Sequence, residues 1–238
     1  MSMLRMELLR LLRNNLSSLI FGYIATMVAA FNLLTIIFGQ TDWMEQWNGR
    51  IAIFLVTIML DMIFWLTALP IAEDAQTQMI QVMRTSRSIV QYFIGKHALL
   101  LLLATMFAFG LMALRLHDPG VVFRFVHLTI LISLTMIGFG VAITTLFKQQ
   151  TAILTIGSFV NVLALAVLLR MILPTWNIPP IPFNPFEYLI QPFYDLLDPP
   201  LGIAAPLPLL QLSLFAVVFY LTCLTLFYHL TYRQGYRL

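Results

Sequence analysis

Six stretches of this chain run for about 20 residues with no more than one Asp, Glu, Lys or Arg each: residues 16–38, 51–72, 97–116, 125–147, 151–173 and 208–231. A helix needs about 20 apolar residues to cross a ~30 Å hydrocarbon core, so each stretch is long enough to span a bilayer. Composition agrees, with 61% hydrophobic and 10% charged residues among 238. A soluble domain carries about 25% charged residues, and this chain could not cover its own surface with polar groups. A water-soluble globular enzyme is excluded. The first stretch lacks a convincing small-residue cleavage site and is followed by further spans, so it reads as a retained helix and not as a signal peptide. The expected fold is all-α, a single transmembrane domain over residues 1–238 with six membrane helices. The single cysteine, Cys223, cannot form an internal disulfide.

An even number of spans leaves both termini on one side. With the N-terminus in the cytoplasm, Arg5, Arg10, Arg13, Arg84, Arg87, Lys96, Lys148, Arg233 and Arg237 face inward. Arg50, Arg115, Arg124 and Arg170 then lie at the outer side, a split of nine to four that satisfies the positive-inside tendency. The net charge of +3 is too small for a nucleic-acid binder and fits this orienting role. Before the first span, Arg5, Arg10 and Arg13 alternate with Leu and Met at helical spacing. That pattern describes an interfacial helix lying along the membrane, or else ordinary cations flanking a span.

Two connections are long enough to carry function. Residues 73–96 open with Glu73 and Asp74, and Ala75, Met79 and Met83 then recur every four residues, with Ile80 and Val82 beside them. The spacing predicts a short amphipathic helix with its acids at the N-terminus and Arg84 and Arg87 at the end, matching the helix dipole. It is either a solvated hairpin or a protruding cytoplasmic element that presents Met79, Ile80 and Met83 to another protein. The second connection, residues 174–207, holds nine prolines, which exclude a continuous helix, yet it is rich in Phe, Tyr and Leu. It reads either as a Pro-rich spacer or as short helices folding back at the outer leaflet, with Glu187 and Asp195 as polar markers.

Inside the spans, Asp61 is the one carboxylate expected deep in the membrane. It would face a bundle interior or water cavity, or be protonated and bonded to a neighbouring helix, for instance at Asn32 of the first span. Gly138 and Gly140 permit close helix approach. His97, His117, His127 and His229 show no ligand spacing, so no metal site is expected. The chain has no phosphate-binding loop of the G-x-x-x-x-G-K-[ST] type, since Val90 stands where the first Gly before Gly95-Lys96 is required. H-E-x-x-H and G-x-S-x-G are also missing. An intramembrane enzyme pairing Asp61 with Glu73 or Asp74 is a rival reading, as is a non-catalytic membrane scaffold.

The order of these parts resembles the membrane subunit of ATP-binding-cassette exporters, the type-2 ABC permease family. Three stretches carry the likeness: Glu73 through Gly95-Lys96, Gly138 through Ala152, and Pro182-Phe183-Asn184-Pro185-Phe186-Glu187-Tyr188. Two details depart from the family, namely Gln76 in place of a Gly before Thr77 and the lack of a Pro after Arg84. The resemblance implies six spans, an N-terminal interfacial helix, a cytoplasmic coupling helix and outer re-entrant helices containing Asn184, Pro185, Glu187 and Tyr188. It implies docking of a separate cytoplasmic ATPase on Glu73, Asp74, Met79, Ile80, Met83, Arg84 and Arg87. ATP and Mg would be bound by that partner, so this chain would need no cofactor and would not itself be an enzyme. It further implies a second permease copy in a homodimer, contact with membrane lipid, and a plasma (inner) membrane location in a bacterium with both termini cytoplasmic. Asp61 and Asn32 would lie along a translocation path, and the apolar spans suggest an amphipathic or lipid-like cargo such as a peptide.

Overall fold

A computed structural model describes Thr26 and residues 28–33, 35–37, 42–76, 89–113, 118–147, 149–172, 184–197 and 209–233. Regular structure among them is helical throughout. The described part of Val28–Ile37 forms α1. It is followed by α2 (Asp42–Gln76), α3 (Ile89–Leu111), α4 (Pro119–Leu146), α5 (Gln150–Ile172), α6 (Pro185–Leu197) and α7 (Leu209–Phe227). A wide π turn, Tyr228–Arg233, continues α7.

Four stretches are apolar and long enough to cross a membrane: Gly49–Asp74, Phe93–Leu111, Pro119–Leu146 and Leu210–Leu230. The protein is a multi-pass helical membrane protein. These stretches coincide with the second, third, fourth and sixth expected spans. The fifth corresponds to α5, whose apolar part, Thr151–Val167, is shorter, and only Val28–Ile37 of the first lies among the described residues.

Two helices start by the same device. Asp118 precedes Pro119 and its carboxylate accepts the Val121 N–H at 3.2 Å, which opens α4. Asn184 precedes Pro185 and its Oδ1 accepts the Phe186 N–H at 3.0 Å, which opens α6. The side-chain oxygen satisfies a backbone donor that the helix cannot, and proline in the first turn has no N–H to lose.

The connection expected over residues 73–96 is shorter than its sequence suggests. Helix α2 runs unbroken to Gln76, so Glu73 and Asp74 sit in its last turn and not at the start of a new helix. Carboxylates at a helix C-terminus gain nothing from the dipole, and the apolar continuity of α2 outweighs that preference. On the other side, α3 begins at Ile89, and Lys96 is 5% exposed inside it, where a solvated boundary was expected. Met79, Ile80, Met83, Arg84 and Arg87 lie outside the described residues, as do Arg5, Arg10 and Arg13.

Helix α4 is the hub, packed against α2, α3, α6 and α7; α2 in turn also packs against α5 and α6. Gly138 and Gly140 make this possible, as expected. A Cβ on Gly140 would lie 3.0 Å from Cβ of Thr67 on α2, and one on Gly138 would lie 3.2 Å from Cα of Tyr220 on α7. Without side chains at these points, two neighbouring backbones approach α4 from different sides. Large rings fill the rest: Phe125 packs edge-on to Phe193 of α6 at 5.2 Å, and Phe64 of α2 lies 5.6 Å from Phe139. Buried threonine hydroxyls bond to their own helix, whereas the buried Ser133 hydroxyl has no partner among the described residues. Thr67 donates to Ile63, Thr129 to Phe125 and Thr145 to Val141, at 2.7 to 2.8 Å. Each thereby avoids an unsatisfied polar atom in a medium without water.

Candidate functional site

One cluster of polar groups forms where α2 meets α5. Trp65 projects from α2 onto Gly157 of α5, where a Cβ would overlap the indole ring. From there its indole N–H donates to Oδ1 of Asn161, one turn further along α5, at 3.0 Å. Asp61 precedes Trp65 by one turn, near the centre of the Gly49–Asp74 span, and interacts with the same indole. Its Oδ1 is shielded, yet it accepts no hydrogen bond among the described residues.

Asn161 is the middle residue of α5 and is exposed, with Thr151, Thr155 and Ser158 exposed on the turns before it. Spacings of four, three and three residues keep them on one broad helix face. The Thr155 hydroxyl donates to Thr151 O at 3.1 Å and the Ser158 hydroxyl to Leu154 O at 2.8 Å. Their outward lone pairs stay free to accept. The Asn161 amide N–H2 has no hydrogen bond to the described residues. This face can therefore receive donors and offer one amide donor, beside a carboxylate with spare acceptor capacity.

Of the residues expected in a polar path, Asp61 belongs to this cluster and Asn32 does not. The Asn32 amide donates to Val28 O at 3.0 Å and to Gly110 O at 2.8 Å, tying α1 to the end of α3. Gly110 presents a bare backbone at that crossing, where a Cβ would run into Val28, so its carbonyl is within reach of the amide. No hydrogen bond joins Asn32 to Asp61. Sequence reading missed Trp65 and Asn161. The signal for Asn161 was the recurrence of Thr151, Thr155, Ser158 and Asn161 in a run otherwise read as uniformly apolar.

Glu73 is exposed, whereas Asp74 is 2% exposed, so only the former offers its carboxylate outward in this conformation. Asp61 and Glu73 stand twelve residues apart on one helix, about 18 Å, too far to act as one acid–base pair. No group of three or more His, Cys, Asp or Glu residues able to hold a metal occurs among the described residues.

At the start of α6, Asn184 is fully buried and does double service. While its oxygen caps α6, its amide N–H donates to Leu163 O of α5 at 2.8 Å. Pro185 opens the helix, Glu187 lies in its first turns, and Tyr188 is exposed. Asp195 accepts from the Gln191 amide at 3.1 Å, and its Oδ2 is buried without a partner among the described residues. Two further polar contacts hold α7. The ring Nδ1 of His97 and the Tyr220 hydroxyl are 2.6 Å apart, and His127 Nε2 lies 3.4 Å from the Ser213 hydroxyl. Both pairs link residues more than 80 positions apart, a relation that no local spacing reveals.

Comparison with known protein families, characterised proteins and solved structures returns no match.

Proposed function

We propose that this chain is the permease subunit of an exporter driven by a separate cytoplasmic ATPase of the ATP-binding-cassette class, working as a homodimer. One observation carries the reading: the face of Thr151, Thr155, Ser158 and Asn161 is uncovered along the first half of α5, with Asn161 at the helix centre beside Asp61 and Trp65. An unsatisfied amide facing hydrocarbon costs several kcal/mol, so such a face belongs against a second polar surface or a cargo path and not against acyl chains. In a homodimer, two such faces line one pathway for an amphipathic or lipid-like cargo.

The remaining assignments follow from this arrangement. The segment after Gln76 is the coupling element, with Glu73 at its entrance, and it receives the ATPase together with the N-terminal interfacial helix. The excess of cations among the termini and this segment supports a cytoplasmic placement for all three. Helix α6 is the outer re-entrant element. Asn184 binds Leu163, nine residues before the end of α5, so α6 starts about 13 Å below that end. Closure of the ATPase dimer rocks the two permease copies, which requires that the two conformations bind the ATPase with different affinity.

Two experiments test this. Met79→Asp with Met83→Asp is expected to abolish co-purification with the ATPase partner; retained association overturns the docking assignment. Asn161→Leu with Asp61→Asn is expected to lower transport by the intact complex about tenfold, equivalent to ~1.4 kcal/mol of barrier, while ATPase binding persists. Undiminished transport removes the α5 face from the path.

A further inference from the structure

A cavity of about 390 Å³ lies between α4, α6 and α7 and opens to the surface of the protein. Its size falls within the range of ligand pockets, about 300–1,000 Å³. We infer that this cavity holds one acyl chain of a bilayer phospholipid. The inference depends on the protein being embedded in a membrane and is independent of the transport reading.

The lining is the first ground. Thr135 brings a hydroxyl, but that hydroxyl donates to Leu131 O on its own helix at 3.1 Å and is spent there. The walls are otherwise the rings and aliphatic chains of Phe139, Phe186, Leu189, Phe215 and their neighbours. An aqueous solute would lose its hydration and find no replacement, and water itself leaves apolar cavities of this kind empty. Only an apolar occupant gains.

The mouth is the second ground. Phe215 lines the cavity and is 53% exposed, on the same outer face of α7 as Leu214, Val218 and Leu221. Only 22% of the α7 span is buried by the protein, so the ordinary neighbours of this exposed face are lipid tails. The cavity is thus an inlet of the surface that acyl chains already cover, and a chain enters sideways without passing through water. Tyr188, 57% exposed on α6, stands at the same inlet and adds its ring to the wall.

The third ground is shape. Phe215 and Phe219 stack with centroids 5.8 Å apart and only 16° between their planes, presenting two rings along one wall. Phe219 is held there because Gly138 brings α7 against α4: a Cβ on Gly138 would lie 3.3 Å from the Phe219 ring. The slot between these rings and Phe186 is therefore set by backbone packing and exists before any chain enters.

The full chain, reconstituted in vesicles of phosphatidylethanolamine and phosphatidylglycerol containing a phospholipid with a photoreactive diazirine midway along one acyl chain, provides the test. After irradiation, adducts mapped by mass spectrometry are expected on the α6 and α7 residues of the cavity, about tenfold above those on Leu210 and Leu221, for a preference near 1.4 kcal/mol. Leu189→Trp fills the space and is expected to reduce cavity adducts to the level of the outer face, while Leu221→Trp leaves them unchanged. Phe219→Ala enlarges the cavity and keeps or raises the labelling, which covers the event that Leu189→Trp does not fold. Equal labelling of cavity and outer face overturns the inference. So does photo-crosslinking from this cavity to a second copy of the chain.

Discussion

Helices α4 and α7 are equally apolar and occupy opposite positions in the molecule. Their membrane stretches have mean hydropathies of 2.1 and 2.0, yet 72% of the first is buried by protein and only 22% of the second. In water such a pair would be paradoxical, because burial follows apolarity there. Lipid is as apolar as leucine, so hydropathy ceases to sort inside from outside, and close packing and hydrogen bonding take over. Helix α4 has the small residues for it: Gly138, Gly140 and five buried hydroxyls at Thr129, Ser133, Thr135, Thr144 and Thr145. Helix α7 instead spreads Leu210, Leu214, Phe215, Val218 and Leu221 over an outward face.

The strongest way to break this contrast is Gly140→Leu. The new side chain would be driven into Thr67 and the Phe64 carbonyl, and overpacking of this kind is expected to cost about 3 kcal/mol, read as the loss of unfolding free energy in detergent micelles. A cost near zero would mean that α4 and α2 separate readily and that α4 is no hub. An intermediate effect of about 2 kcal/mol is expected for Asn184→Ala, which removes the α6 cap and the side-chain hydrogen bond that ties α6 to Leu163 O of α5. Hydrogen exchange should then rise in α6 while the core of α4 stays protected. At the lower end, Leu214→Ala on the outer face of α7 should change stability by no more than about 0.5 kcal/mol, since lipid replaces the lost contacts. A loss comparable to that of Gly140→Leu would reveal that this face is covered by protein.

Much of the fold was legible in the sequence for a physical reason. A backbone crossing hydrocarbon must close its own hydrogen bonds, so long apolar runs become helices whatever surrounds them. The Asx-Pro caps at Asp118 and Asn184 are equally local, their donor and acceptor lying within three residues of one another, although the sequence reading passed over them. Legibility failed where charged residues were read as boundaries. Glu73 and Asp74 were taken for a helix start, and Lys96 for the edge of a span, but α2 and α3 carry these residues within their own turns.

The candidate site was legible in part. Asp61 was conspicuous as a lone carboxylate in an apolar run. Its partners were not, since Trp65 looks like any apolar anchor until Gly157 lets it lie against α5 and reach Asn161. Asn32 was drawn to the wrong neighbour because depth along a run says nothing about which helix stands beside it. Its amide went to the nearest bare carbonyl, that of Gly110.

By itself, then, the sequence determined the solvent and the helical class, both consequences of short-range chemistry along one chain. Tertiary structure alone decided which apolar helix became the hub, which polar face of α5 was left uncovered, and that α4, α6 and α7 line an apolar cavity. These depend on how closely two backbones approach, and that distance is set jointly by residues far apart in the chain, such as Gly140 with Thr67 and Gly157 with Trp65.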